Sequence, residues 1–173
     1  MQTWRVTQDS DDGRRGRVVG PLVDAPCALG RAGIISAADK QEGDGKTPTG
    51  TYPFRRVFYR PDKMAAPVCA LDVTPVSADL GWCDDAASTH YNQLVRLPYA
   101  GNHEKLWRDD ILYDLILVIG HNDSPPVPGL GSAIFVHVAK QGFAPTEGCV
   151  ALSEPALSAW LRLIMPDDQL IIA

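Results

Sequence analysis

Glycine and proline interrupt this chain so often that long helices have little room to form. The 15 glycines and 14 prolines make up about one residue in six of the 173. Each glycine admits turns that other residues resist, and each proline withdraws a backbone donor and fixes φ. A chain punctuated in this way favours many turns and short strands over a helical bundle. At ~100–200 residues per domain the length suits one compact unit. A chain of this size buries roughly 70% of its unfolded surface and needs no staples.

The N-terminal third alternates short apolar stretches with breakers. Trp4 and Val6 alternate with polar neighbours, and the acids from Asp9 to Asp12 run into a turn at Gly13. Residues 17–19, 27–29 and 33–35 predict further short strands. Residues 41–50 (QEGDGKTPTG) are dense in breakers and predict a loop. Residues 51–59 set Tyr52, Phe54, Phe58 and Tyr59 against Arg55 and Arg56, which predicts a strand with one wet face. Residues 61–99 carry repeated prolines and too little apolar periodicity for a core of their own. We therefore expect one domain over 1–173 with an irregular excursion at about 61–110. Within it Trp82 and Trp107 cover a small core, and residues 103–110 form a short helix.

Residues 114–120 (DLILVIG) are a continuous apolar run between polar flanks, the pattern of a strand buried on both faces. Residues 133–138 (AIFVHV) alternate, with Ile134, Val136 and Val138 on one face and Ala133, Phe135 and His137 on the other. Near the C-terminus Ser153 is an N-cap candidate and Pro155 sits in a first helical turn. Leu157, Trp160, Leu161 and Ile164 follow as an i, i+3, i+4, i+7 stripe. Residues 166–168 (PDD) stop that helix, and residues 169–172 return as a last strand.

Charge and motifs exclude several classes. The 21 acidic against 16 basic side chains give −5, which argues against general nucleic-acid binding. No apolar stretch approaches the ~20 residues that span a bilayer. No secretory h-region follows Met1, so the chain is expected in the cytoplasm if it is the full gene product and in the periplasm if a leader was removed. Gly45-Lys46-Thr47 matches the end of a phosphate-binding P-loop, but the required earlier glycine is Lys40 and Pro48 follows at once. Neither a G-x-S-x-G elbow nor H-E-x-x-H occurs, and no cofactor motif is present. A zinc site built from His103, His121, His137 and an acid leaves no local spacing signal, and the reading adopted has no metal.

The four cysteines, Cys27, Cys69, Cys83 and Cys149, form no CxxC pair. A Cys69–Cys83 bond is compatible with the composition but not required by it. Cys27, Cys69 and Cys83 read as small buried hydrophobes. Cys149 differs, because Gly148 precedes it on a turn and His137 lies 12 residues upstream on a strand. A thiol becomes a useful nucleophile beside an imidazole and on a sharp turn. The chain can reverse between the two residues, and the N–H groups of Gly148 and Cys149 can then point into an oxyanion hole. On the residues alone, a buried structural cysteine and a catalytic one remain equally open.

The run Phe135-Val-His137 … Pro145-Thr-Glu-Gly-Cys149-Val resembles the active-site stretch of the YkuD-type L,D-transpeptidases. There a His on one strand precedes a Ser/Thr-His-Gly-Cys turn. A second shared feature is an early glycine loop ending in Thr-Pro-x-Gly, matched by Gly43, Gly45, Thr47, Pro48 and Gly50 and followed by Tyr52 and Phe54. The resemblance implies a mainly β fold with a few helices, a sandwich or mixed sheets with a C-terminal helix and strand. It also implies a ping-pong reaction on peptidoglycan stem peptides. Cys149 attacks the amide after the third stem residue, a thioester forms, and an amine of a second stem takes the acyl group. Reaction of that cysteine with carbapenems is implied as well.

Three departures accompany the resemblance. Glu147 stands where the family motif has a second His, the His137–Cys149 gap is short, and residues 61–122 have no counterpart. Residues 145–152 (PTEGCVAL) are similar to a compact subgroup of the family. Cys149, His137 and Gly148 are therefore the expected catalytic residues. Thr146, Glu147, His121 and Asn122 are expected on the substrate side, with a turn-stabilising Thr146, a solvated Glu147 and a loop-capping His121 and Asn122 as the plainer readings. Arg55, Arg56 and Arg60 either read a substrate carboxylate or form the wet face of a strand. Three functions stay open at this point: a cross-linking transpeptidase, a cytosolic L,D-carboxypeptidase with water as acceptor, and a silent binding module for cell-wall peptides.

Overall fold

A computed structural model describes residues 1–173. Strands β1 (Thr3–Gln8), β2 (Arg15–Gly20) and β3 (Val23–Ala28) form an antiparallel meander. Their alternation buries Trp4, Val6 and Val18 on one face, as period-2 patterning requires. β4 (Ile34–Ser36) runs parallel to β5 (Thr47–Tyr59). The sequence predicts a loop through residue 50, yet β5 begins at Thr47. Residues 47–49 pair with β4 at one end of the sheet, where a proline at 48 is tolerated.

The excursion is more ordered than its composition predicts. β6 (Asp72–Pro75) lies parallel to β5, while β7 (Leu80–Cys83), β8 (Leu94–Arg96) and β9 (His103–Lys105) build a separate three-stranded sheet. The helix expected over 103–110 is absent. Residues 103–105 instead pair antiparallel with β7, and Leu106 is fully buried behind them. Tertiary pairing has overridden a local pattern that was too short to nucleate a helix.

β10 (Leu115–Ile119), β11 (Phe135–Val138), β12 (Val150–Leu152), α1 (Glu154–Leu161) and β13 (Gln169–Ile172) complete the chain. The main sheet runs β10-β11-β12-β3-β2-β1-β13-β5, and β10 also pairs with β5, so it closes on itself. β1–β13 and β11–β12 are parallel and the other pairings in this ring antiparallel, giving the mixed, mainly β architecture expected. Inside it lie Trp4, Phe54, Leu115, Leu117, Val136 and Leu170, joined by Leu157, Trp160 and Leu161 of α1. The Ser153 hydroxyl accepts the Ala156 N–H at 3.4 Å and caps that helix. Trp160 meets Trp4 and Phe54 with ring centres 5.4 and 5.8 Å away.

A second core lies on the outer face of β5, β10 and β11. The apolar run of β10 splits between the two cores: Leu115, Leu117 and Ile119 point into the ring, and Ile116 and Val118 point out. Outside, Phe58, Ile116 and Phe135 meet Val76, Leu80, Trp82 and Leu106 of the excursion. The excursion thus borrows its core from the main sheet, which explains its weak periodicity. All four cysteines are free. The Cys83 thiol points to the Tyr99 hydroxyl at 3.7 Å, and the Cys69 sulfur accepts the Leu71 N–H at 3.4 Å. No helix is long and apolar enough to cross a membrane.

Candidate active site

β11 carries His137 on its outward face beside Phe135, opposite Val136 and Val138, as the alternation requires. The next parallel strand, β12, begins immediately after Cys149, so the connection from 139 to 149 returns the chain beside β11. Cys149 and His137 accordingly line one cavity of about 390 Å³. Both side chains are buried, at 8% and 5% exposure. The Cys149 sulfur accepts the Phe135 N–H at 3.3 Å and donates its proton to the Ala133 carbonyl at 3.1 Å.

His137 Nδ1 lies 2.8 Å from the Val138 carbonyl. A carbonyl only accepts, so Nδ1 bears the hydrogen and Nε2 keeps its lone pair. Tyr113 stacks edge-on against the imidazole at 5.5 Å and donates its hydroxyl to Glu104 at 2.5 Å. Burial pushes the Cys149 thiol up to about 12 and the His137 imidazole down to about 4. At neutral pH the cavity is therefore lined by a neutral thiol and a neutral imidazole. Neither side chain carries a charge, so the sulfur is not held as a preformed thiolate.

The turn before Cys149 is held from both sides. Thr146 Oγ1 accepts the Gly148 N–H at 3.1 Å and donates to the Cys149 carbonyl at 2.7 Å. Gly148 N–H is thus engaged within the turn and is not free to serve an oxyanion. Gly148 has φ +136°, and a Cβ there would lie 2.8 Å from the Lys46 carbonyl. Residues 29–31 wedge between this turn and the early glycine loop. Thr146 N–H donates to Leu29 O, Arg31 N–H donates to Thr146 O, and Gly30 N–H donates to Thr47 Oγ1 at 2.8 Å. The two sequence motifs, about 100 residues apart, are joined through that wedge. Buried Lys40 clamps the loop by donating to Gln41 O at 2.9 Å and pairing with Asp44.

A profile of the L,D-transpeptidase catalytic domain matches residues 10–172. The chain belongs to that family. Among solved structures it is similar to L,D-transpeptidase 1 of Mycobacterium tuberculosis, at 13% identity and a TM-score of 0.39 over 99% of this chain and 62% of that one. It is also similar to an L,D-transpeptidase of Mycobacterium smegmatis, at 13% identity and a TM-score of 0.42 over 99% and 59%. The chain spans about three fifths of the length of each. Comparison with curated proteins yields no match.

Within this L,D-transpeptidase domain the other expected site residues separate. Thr146 and Glu147 line the cavity of Cys149. Glu147 is exposed and pairs with Arg31 at 2.9 Å. His121 and Asn122 do not reach that cavity. His121 lies 9 residues from Leu130 in sequence and meets its carbonyl through Nε2 at 3.0 Å, and it lines a second cavity of about 370 Å³ shared with Trp82. Asn122 caps the following loop by donating to Val127 O and Gly131 O. Arg55 pairs with Asp123 at 2.7 Å, and Arg60 pairs with Asp62 while stacking on Trp107 at 3.8 Å. No three His, Cys, Asp or Glu side chains converge as metal ligands do.

Sequence reasoning missed the cavity's other walls: Lys40, Glu42, Asp84, Glu104, Arg108 and Tyr113. Three of them, Asp84, Glu104 and Arg108, come from the excursion, which supplies one side of the site. Burial raises Glu104 and holds Tyr113 well above the ordinary phenol value. Only Tyr113 had a legible signal, as the aromatic one residue before the buried run of 114–120.

Proposed function

We propose that this chain is a cysteine-dependent L,D-transpeptidase of peptidoglycan, with Cys149 as nucleophile and His137 as base. The observation that carries the reading is a buried thiol and an imidazole with its Nδ1 pinned, lining a single cavity. The cavity offers both signs of charge, Lys40, Arg108 and Lys140 against Glu42, Asp84 and Glu104, which suits a stem peptide bearing amines and carboxylates.

In the first half-reaction the sulfur leaves the Ala133 carbonyl, gives its proton to His137 Nε2 and attacks the amide carbon after the third stem residue. The Cys149 N–H donates to the oxygen that becomes negative. The C–N bond breaks as His137 protonates the departing D-amino acid, leaving a thioester. In the second half-reaction an amine of another stem attacks the thioester, its proton passes to His137, and the regenerated sulfur recovers that proton. Because the resting thiol is neutral, weak labelling by iodoacetamide at neutral pH does not mark a silent protein. Acylation by a stem peptide or a carbapenem is the discriminating signal.

The test is incubation with defined tetrapeptide muropeptides and identification of the products by mass. Cross-linked dimers are expected from the wild type and none from Cys149→Ala, whose circular dichroism stays unchanged. Turnover by the Cys149→Ala variant overturns the reading. Tripeptide plus free D-alanine without dimer assigns water as the acceptor, and the protein is then an L,D-carboxypeptidase with the same site.

A further inference from the structure

The catalytic thiol rests on a residue with unusual backbone. Ala133 has φ +51°, a left-handed conformation that a Cβ-bearing residue keeps only where its surroundings impose it. Its carbonyl receives the Cys149 thiol proton at 3.1 Å. Its N–H donates to Asn92 Oδ1 at 3.0 Å. Asn92 belongs to the excursion, between β7 and β8, and is itself left-handed at φ +56°. It is 6% exposed and fully subscribed: Oδ1 also accepts Trp82 Nε1–H at 2.9 Å, while Nδ2 donates to the His121 and Asn122 carbonyls at 3.0 and 2.7 Å. Its own N–H ties it to the Cys83 carbonyl at 2.9 Å.

We infer that Asn92 is a positioning residue for the nucleophile: acting through Ala133, it aims the carbonyl that parks the Cys149 thiol in the cavity it shares with His137. The inference rests on Cys149 being the nucleophile. It gives the excursion a second task beyond walling the cavity, because one of its side chains sets the resting direction of the sulfur. A planar amide is suited to this task, since two acceptor lone pairs and two N–H donors are all used at fixed angles. Thiol donation to Ala133 O favours the protonated sulfur, whereas the Phe135 N–H favours the thiolate. Loss of Asn92 frees Ala133, weakens the first bond and leaves the second. The ionisable groups that line the cavity with the sulfur, His137 on β11, Tyr113 and Arg108 before β10, Glu104 on β9, Asp84 after β7, Lys40 and Glu42 before β5, and Lys140 and Glu147 between β11 and β12, make no bond to the Asn92 side chain.

The test combines alkylation and turnover in the full chain. Iodoacetamide labelling of Cys149, located by peptide mass, is followed against pH in wild type, Asn92→Ala and Trp82→Phe. In Asn92→Ala the rate at pH 8 is expected to rise about tenfold, with the whole profile displaced to lower pH. Acyl transfer is expected to move the opposite way, kcat falling about 10- to 100-fold at nearly constant KM. Trp82→Phe removes one bond to the same amide but spares Ala133, and its labelling profile stays that of the wild type. An unchanged profile in Asn92→Ala overturns the inference, as does an equal displacement in Trp82→Phe, which signals general loosening. Should Asn92→Ala fail to fold, amide exchange of the wild type decides. The Ala133 N–H is expected to open together with residues 91–93, and its exchange independently of them overturns the inference. Labelling needs no stem peptide, so failure of the proposed reaction and failure of the positioning role give different results.

Discussion

Gly148 carries the sharpest steric demand around Cys149. A Cβ there meets the Lys46 carbonyl at 2.8 Å and Ile134 at 3.2 Å, on a backbone at φ +136°. Neither the carbonyl nor the core leucine-sized side chain can retreat far, and the left-handed backbone adds its own cost. Gly148→Ala is expected to lose about 2 kcal/mol of stability in urea unfolding. It is also expected to lower turnover about 100-fold, because the sulfur is carried on the displaced turn. Wild-type stability and turnover in this variant would show that the turn is not under steric control. The neighbouring Thr146 explains why the motif needs a hydroxyl there: one oxygen accepts from Gly148 and donates to Cys149 across the turn.

At the scale of elements, three segments are locked together. The wedge of residues 29–31 pairs with Thr146 on one side and with the glycine loop leading into β5 on the other. Gly30 is obligatory there, since a Cβ would lie 2.4 Å from the Gly45 carbonyl. Thr47 is fully buried, and its hydroxyl accepts the Gly30 N–H. Thr47→Val keeps the shape and removes the acceptor, leaving a buried N–H unpaired. A loss of about 1–3 kcal/mol is expected in urea unfolding, with a smaller effect on turnover than Gly148→Ala. A variant as stable as wild type would mean that the wedge finds another partner. The short apolar elements around it are legible in the sequence because their signal is local: β1, β11 and α1 each announce a buried face by their period, and β10 announces burial on both faces by its unbroken apolar run. β9 and the start of β5 are not legible in this way, because pairing with distant strands decides them.

At the scale of the molecule, burial of an imidazole links the site to acid stability. His137 is held at about 4, below its ordinary 6.5, by burial. Above pH 6.5 both folded and unfolded chains carry it neutral, so its full contribution is present. As pH falls below 6.5 the unfolded chain binds the proton first, and the native state is progressively disfavoured until about pH 4. The loss is of order 3 kcal/mol at about 1.4 kcal/mol per pH unit. Burial lowers His121 as well and adds in the same direction, whereas raised Glu104 opposes it. Unfolding free energies at pH 7.5 and 4.5 are expected to differ by less in His137→Gln than in wild type. An equal pH dependence in the two would remove His137 as its source.

The sequence by itself determined the short-strand architecture, the two faces of the strand bearing His137 and the C-terminal helix. These follow from spacing along the chain and from residue types that a turn or a strand demands. Only the tertiary structure decided that the main sheet closes on itself, that the excursion walls the site, and that His121 and Asn122 belong to a neighbouring cavity and loop. It alone brought Asn92 beneath Ala133, 41 residues away in sequence. The reason is physical: periodicity records which face of an element is buried, whereas hydrogen bonds between distant segments leave no periodic trace in either partner.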